Sequence, residues 1–232
     1  MTNAFYEYTE DEQLTSVVQD VLQSINSELQ EIDETFYNNV IDPFSALFDA
    51  SIQNISYEEW MRQEQQRQVQ KTLQNTIGYF HERIIGCMDG WENPTSAGYD
   101  VENTSKNIIA ELKNKHNTMN SSTSEAVYTK MAEFLDGEKQ NFVAYVVTVV
   151  PKNPVRFNKT FCPSVRGTRL PEREDIKIVD GATFYEIATG DTDALKKLYA
   201  CLPAVINSIL GNGEITETEK VKFNELFTRA FT

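Results

Sequence analysis

The sequence contains few of the residues that bind soft metals, with only two histidines and three cysteines among 232 residues. Cys87, Cys162 and Cys201 lie far apart, without the close spacing of a zinc site. An odd number of widely separated cysteines also argues against a framework of disulfide bonds. We therefore expect buried or idle thiols in a reduced, cytoplasmic protein.

Long hydrophobic runs are absent as well. No apolar stretch approaches the 18 residues needed to span a bilayer as a helix, so we expect no association with a membrane. Residues 1–12 are polar and acidic, which is the opposite of a secretory signal peptide.

Basic residues are scarce in the first part of the chain. Residues 1–70 hold 14 acidic and 2 basic side chains, whereas residues 71–232 hold 21 acidic and 19 basic ones. Most of the net charge of −14 therefore comes from the N-terminal part, and it argues against a polyanionic partner for that part only. Residues 152–173 carry six basic side chains and one acid, Glu172, which indicates either an anion-facing loop or a solvated one.

Hydrophobic periodicity predicts the architecture. Apolar residues recur at helical spacing over residues 11–34 and again over 58–88. Residues 141–150 are continuously apolar and β-branched, which is typical of a buried central strand. We predict an α/β fold, in which a small mixed β-sheet is flanked by helices. Residues 1–56 are predicted to form an acidic N-terminal helical region and residues 57–232 the main domain.

A short run of charged residues contains the candidate functional side chains. Asp100 follows Gly98 and Tyr99, and a strand predicted over residues 106–113 carries Glu111 and Lys113. If the two segments form a hairpin centred near residues 105 and 106, Asp100 lies opposite Glu111. Glu111 and Lys113 then share one face of the strand, roughly 6.6 Å apart.

This order of charges suits a metal-dependent nuclease. The two carboxylates can hold a divalent cation, and the lysine can direct a water molecule toward a phosphodiester. The spacing alone is weak, because surface strands often alternate Glu and Lys to form cross-strand pairs.

The surrounding sequence resembles a known family. The run from Glu111 to Ser122 is similar to that of type II restriction endonucleases of the PD-(D/E)XK superfamily, and in particular to the group that cuts GGNCC or GGWCC sites. Residues 77–92, 151–159 and 180–190 resemble further segments of that group, so that the likeness covers roughly residues 70–210. Tyr99 stands where the superfamily label has proline, a position with no chemical duty.

The resemblance implies a restriction-endonuclease-like core and a role for each charged residue. Asp100, Glu111 and the carbonyl of Leu112 would hold Mg²⁺, since hard oxygen ligands suit this ion. Lys113 would orient the attacking water, and hydrolysis would leave 5′-phosphate ends. Glu82, on the preceding helix, is a candidate for shaping the metal site, although a solvated helix carboxylate is an equally good interpretation.

Recognition of double-stranded DNA requires donors at base edges and phosphates. The candidates follow the catalytic strand or lie in the basic loop: Lys115, Asn117, Asn120, Ser121, Ser122, Lys159, Arg166 and Arg169. His81 and His116 are expected to be structural or DNA-facing. Cutting both strands of a near-palindrome favours a homodimer. Such an enzyme would work in a prokaryotic cytoplasm beside a cognate DNA methyltransferase, a functional partner that it need not touch.

Two other interpretations remain open at this point. The same fold could belong to a structure-selective or repair nuclease without sequence specificity. Alternatively, the chain could be a non-enzymatic protein whose acidic helices bind a partner and whose Glu-x-Lys strand is ordinary.

Overall fold

The computed structural model of the protein describes residues 4–94, 96–213 and 215–232. These residues form two compact units. The larger unit contains the described residues up to Val18 together with Gly78–Thr232, and the smaller one is Gln19–Ile77. The division predicted from the sequence, with its boundary between residues 56 and 57, stays a prediction.

The described residues form α-helices and β-strands in an order that begins with helices. The N-terminal elements are α1 (Asp11–Thr35), a short 3₁₀ turn (Phe36–Asn38), α2 (Pro43–Gln53) and α3 (Tyr57–Gly86). The middle of the chain holds β1 (Val101–Asn103), β2 (Ile108–Lys115), α4 (Ser121–Asp136), β3 (Val143–Val150), β4 (Asn158–Thr160), β5 (Ser164–Val165), β6 (Thr168–Arg169) and β7 (Ile176–Asp180). The last helices are α5 (Gly181–Thr189), α6 (Ala194–Leu210) and α7 (Glu217–Phe231). None of the described helices is long and apolar enough to cross a membrane.

Five strands form one mixed sheet in the order β1-β2-β3-β7-β4. β2, β3 and β7 run parallel, and β1 and β4 pair antiparallel at the two edges. β3 is the central strand and is almost wholly buried, as its continuous apolar sequence predicts. The predicted α/β class with a small mixed sheet is confirmed.

Helices cover both faces of this sheet. On one face, Ile109 and Val146 pack with Met131 of α4 in the main hydrophobic cluster. On the other face, the ring of Tyr145 lies 5.7 Å from that of Phe184 in α5. Successive side chains of a strand point to opposite faces, so β3 can supply both layers of the core.

Side-chain caps and a glycine fix the ends of three helices. Asp180 caps α5 by accepting from Thr183 N–H at 2.9 Å, and Gly190 ends the helix at φ 83°. Thr216 and Glu219 form a capping box at the start of α7. Asn120 caps α4, where its side-chain oxygen accepts from the Thr123 N–H of the first turn.

Two segments between the main elements contain regular structure of their own. Residues 43–53 form the full helix α2, because Asp42 caps it and Pro43 occupies its first turn. The predicted loop 151–173 contains β4 and the β5–β6 hairpin. That hairpin turns through Arg166 at φ 50° and Gly167 at φ 87°, the geometry of a two-residue type I′ turn. Residues 90–94 and 96–98 connect α3 to β1 without helix or strand apart from one isolated bridge between Glu92 and Glu102, and residue 95 lies outside the described residues.

Gly181 tests how tightly α5 is seated on the sheet. A Cβ atom at this position would lie 2.4 Å from the carbonyl oxygen of Val149, a backbone atom that cannot move aside. We expect Gly181→Ala to lower the free energy of unfolding by about 1–3 kcal/mol, measured by thermal denaturation. The matched control is Gly78→Ala in α3, where nothing lies within 4 Å and the change should stabilise the helix by about 0.5–1 kcal/mol. A Gly181→Ala protein that melts like the wild type would contradict the tight packing.

Candidate active site

The β1–β2 hairpin turns at residues 104–107, as the sequence predicts, and brings the two acidic segments together. Val101 pairs with Ala110 and Asn103 with Ile108, and the regular pairing ends at Val101. The backbone N–H of Asp100 also donates to the carbonyl of Ala110, at 2.9 Å, so Asp100 lies beside Ala110 and next to Glu111 rather than directly opposite Glu111 as predicted.

The Asp100 side chain is held in one orientation by the neighbouring strand. Its Oδ2 accepts a hydrogen bond from the backbone N–H of Leu112 at 2.6 Å. The N–H and C=O of one strand residue point to the same side of that strand. The Leu112 carbonyl therefore faces the side on which the Asp100 carboxylate lies, beyond the first residue of β1.

Glu111 and Lys113 lie on the same face of β2 as the buried Ile109. The side chains of this face change from apolar to charged as the strand leaves the core under α4. Lys113 Nζ lies 2.6 Å from Glu111 Oε1, and the two side chains are only 23% and 16% exposed. A charge-assisted pair at this distance fixes the ammonium group beside the Glu111 carboxylate.

Glu82 of α3 belongs to the same electrostatic environment. Burial, reinforced by the negative charges of Asp100 and Glu111 and opposed by Lys113, raises the pKa of Glu82 to about 7. Burial and the charge of Glu111 likewise raise the pKa of Asp100 to about 6, against the Leu112 N–H and the positive charges of Lys113 and Lys130. Both carboxyls therefore titrate close to neutrality, as functional groups often do.

The donor set fits a small hard cation. No three side chains of His, Cys, Asp or Glu gather into a metal-binding group in the part of the chain that the structure describes. A metal here would have two carboxylates, Asp100 and Glu111, and the Leu112 carbonyl as its protein ligands. Mg²⁺ is commonly held by one or two carboxylates and keeps several waters.

Two supporting residues were missed by the sequence analysis. The side-chain amide of Asn93 donates to the backbone carbonyl of Asp100. Lys130 of α4 approaches Gly98 so closely that a Cβ there would lie 2.8 Å from Lys130 Cε. Gly98, at φ 88°, was the one sequence signal of a close approach, but nothing local indicates which helix makes it.

Tyr99 has a packing role at the position where the superfamily label has proline. Its ring is buried and lies 5.1 Å from that of Phe134 in α4. Its hydroxyl donates to Glu102 Oε2 at 2.5 Å. These contacts tie the residue before Asp100 to the helix that covers the sheet.

The nearer group of DNA-binding candidates follows Lys113 directly. Lys115 ends β2 on the same face as Lys113, and Asn117 lies in the following turn. Asn120 caps α4 and accepts from Ser122 Oγ at 2.8 Å, while Ser121 and Ser122 form the first turn of that helix.

The more distant candidates lie on β4 and on the β5–β6 hairpin. Lys159 of β4 is exposed, and its ammonium group lies 5.6 Å from the centre of the Phe157 ring. Arg166 is at the tip of the hairpin and Arg169 pairs with Ser164 at its base. Among the described residues we find no hydrogen bond or ion pair that joins these three to the Asp100 site.

His81 is not a metal ligand in this arrangement. It is partly buried, and its Nδ1 lies 2.9 Å from the Tyr185 hydroxyl. Burial lowers the pKa of His81 to about 4, so the ring is neutral at physiological pH. Of the two roles expected for His81, structural or DNA-facing, these contacts favour the structural one.

Comparison with known proteins gives one family and two relatives, all of them restriction enzymes. The model of the Eco47II restriction endonuclease family matches residues 6–211. The chain is 40% identical over 210 residues to the type II restriction enzyme Eco47II of Escherichia coli, covering 88% of this chain and 87% of that protein. It is 31% identical over 243 aligned residues to the type II restriction enzyme Sau96I of Staphylococcus aureus, covering 99% and 91%.

The raised pKa values predict that the site costs stability at neutral pH. Between the ordinary pKa of Glu82, 4.5, and its raised value of about 7, the folded protein binds more protons than the unfolded chain. The free energy of unfolding therefore falls as the pH rises through this range. We expect Glu82→Gln, which stays neutral, to melt at a higher temperature than the wild type at about pH 8 in chelator, with the difference vanishing near pH 4.

The same reasoning applies to Asp100, whose pKa rises from the ordinary 3.8 to about 6 in the folded protein. We therefore expect Asp100→Asn also to melt at a higher temperature than the wild type at about pH 8. The control is Glu225→Gln on the exposed surface of α7, which should leave the melting temperature almost unchanged at both pH values. If Glu82→Gln and Asp100→Asn are both less stable than the wild type at about pH 8, the buried-carboxylate account fails.

Proposed function

This chain belongs to the Eco47II restriction endonuclease family, and from this premise we propose how it cleaves DNA. It is a type II, site-specific deoxyribonuclease that acts on DNA. The alternatives of a non-enzymatic interaction protein and of a nuclease without sequence specificity are thereby set aside. The catalytic residues, the metal and the recognition sequence are our proposals.

One observation carries the proposed mechanism: the Asp100 carboxylate accepts from the N–H of Leu112, the residue between Glu111 and Lys113, and those two side chains are ion-paired on one face of β2. Type II restriction endonucleases generally need a divalent metal. We propose that this metal is Mg²⁺ and that Asp100, Glu111 and the Leu112 carbonyl hold it, because these are hard oxygen donors. Glu82 supports the site through its charge. When bound, the ion would lower the pKa of a water molecule and offset charge on the phosphate.

The chain's own residues would do the remaining work. The Leu112 N–H holds the Asp100 carboxylate in place before substrate arrives. The Lys113 ammonium orients the attacking water and stabilises the negative charge that builds on the phosphate. The water oxygen bonds to phosphorus, the bond to the 3′ oxygen breaks, and that oxygen takes up a proton. The products are a 5′-phosphate and a 3′-hydroxyl.

We propose that recognition uses the residues that flank this site. Lys115, Asn117, Asn120, Ser121 and Ser122 lie at or just beyond the catalytic strand, and Lys159, Arg166 and Arg169 present exposed cations from β4 and the hairpin. Lysine and arginine pair with guanine, and asparagine with adenine. The likeness to the GGNCC/GGWCC group supports a short GGNCC-like palindrome as the target.

The assembly and its setting follow from the substrate. A palindrome cut in both strands needs two active sites, so we propose a homodimer. The acidic N-terminal region, proposed as residues 1–56, would stay away from the phosphates that residues 57–232 engage. A cognate methyltransferase would protect the host genome. Because the substrate is DNA and both relatives are bacterial, a prokaryotic cytoplasm is the proposed location.

Plasmid cleavage with Lys113→Ala tests the mechanism. With Mg²⁺, the wild type should give discrete fragments whose sequenced ends share one short site. Loss of a single group that stabilises transition-state charge costs about 10²–10³ in rate, and Lys113→Ala should lose at least this much while still binding DNA. The control is Lys196→Ala on the exposed surface of α6, which should cut normally. A fully active Lys113→Ala enzyme would contradict the assignment.

Replacing the exposed cations by alanine tests the recognition proposal. Neutralised phosphates release counterions, so binding should weaken steeply with salt. Lys159→Ala, Arg166→Ala or Arg169→Ala should either lower affinity on all sequences and flatten the salt dependence, or relax specificity at one base pair. The first result marks a phosphate contact and the second a base contact, as measured by fluorescence anisotropy on cognate and altered duplexes. If all three variants match Lys196→Ala, these elements are solvated surface.

A further inference from the structure

Helix α2 exposes most of its large apolar side chains. Phe44, Leu47, Phe48 and Ile52 are 74%, 67%, 67% and 82% exposed, and the helix has no buried residue. Phe44, Phe48 and Ile52 follow one another at intervals of four, so they form a continuous ridge along the helix. A helix whose apolar ridge faces water is incomplete without a partner.

A groove of about 810 Å³ runs beside this ridge, within the same compact unit. Its walls include Tyr37, Val40, Leu47, Tyr57 and Trp60. The hydroxyls of Tyr37 and Tyr57 lie 3.3 Å apart, and the Tyr57 ring stacks on that of Trp60 with centroids 6.3 Å apart. These contacts hold the groove open as a formed surface.

Charge excludes DNA as the occupant. Residues 36–57 contain no lysine or arginine, and their acids are Asp42 and Asp49. Both carboxylates accept hydrogen bonds within the chain, Asp42 from Ser45 Oγ at 2.7 Å and Asp49 from Trp60 Nε1 at 3.2 Å. Because this surface has no cations and its acids already have partners within the chain, it suits a partner with an apolar surface rather than a phosphate backbone or a charged peptide.

The dimensions suit a second copy. Burying an aromatic side chain removes roughly 150–250 Å² from water. The face defined by the ridge and the groove exposes four aromatic side chains, Phe44, Phe48, Tyr37 and Tyr57, together with Val40, Leu47 and Ile52. Its apolar area therefore approaches the roughly 800 Å² that each partner buries in a stable interface.

The shape also suits a second copy. A two-fold symmetric interface uses the same surface on both chains, so each chain must present both a protrusion and a matching depression. The α2 face carries both, since its ridge lies next to its groove. We propose that the α2 face is the surface through which two copies of this chain pair. This inference rests on the proposed homodimer and assigns the surface that forms it.

Sedimentation velocity of the full chain, without DNA or Mg²⁺, tests the assignment apart from catalysis. The wild type should sediment as a dimer. Leu47→Glu, and independently Phe48→Glu, would bury an unpaired charge and should weaken dimerisation at least about 100-fold. The matched control is Leu226→Glu on α7, the same substitution at a leucine that is 62% exposed, and it should remain dimeric. Circular dichroism checks that the variants keep their helix content.

The outcomes separate this inference from the proposed function. A wild type that stays monomeric at tens of micromolar, or a dimer that survives both α2 substitutions, overturns the α2 face as a self-interface and leaves a different protein as its occupant. If such a protein still cuts plasmid into discrete fragments, the nuclease assignment stands without it. A dimer that Leu47→Glu breaks and Leu226→Glu does not, in a chain with no Mg²⁺-dependent cleavage, would sustain the interface and overturn the proposed mechanism.

Discussion

The hydrogen bond from the Leu112 backbone to Asp100 is the contact on which the candidate site depends. It joins a carboxylate that lies just before β1 to the strand that carries Glu111 and Lys113. Because the donor is a backbone group within a five-stranded sheet, the carboxylate is positioned by the fold rather than by a flexible side chain. The rest of the larger unit supports this contact: β3 fixes β2 from the inner side, and α4 covers the face from which the charges emerge.

This arrangement of partly buried carboxyl groups lowers the stability of the folded protein. Three carboxyl groups, Glu82, Asp100 and Glu111, share a partly buried region with one ion-paired lysine, and burial raises the pKa of the first two. In the absence of a cation, the like charges oppose one another. A divalent ion held by oxygen donors would relieve that repulsion, so the same groups that weaken the folded state would create affinity for the metal. Sites that need strained or repelling groups commonly exchange stability for activity in this way.

Local rules predicted the hairpin better than they predicted its irregular end. The turn near residues 105 and 106 and the central position of β3 were predicted correctly from the polar and the apolar residues there. The placement of Asp100 directly opposite Glu111 was wrong, because Asp100 bonds to the Ala110 carbonyl that already faces Val101. Local patterns could not identify Lys130, because the chain must fold before α4 reaches Gly98. The short strands within residues 152–173, which were predicted as a loop, could not be identified either, because two-residue strands are too short to show periodicity.

The central claim is that Asp100 and Glu111 together hold the catalytic metal. Single-turnover cleavage of a labelled cognate duplex across a Mg²⁺ titration tests it most directly, with Asp100→Asn and Glu111→Gln compared with the wild type and with Asp193→Asn, an exposed aspartate at the start of α6. We predict that both site variants fold and bind the duplex but do not cut at any Mg²⁺ concentration, while Asp193→Asn cuts like the wild type. Cleavage at the wild-type rate by either Asp100→Asn or Glu111→Gln would contradict the account and assign the metal to other residues.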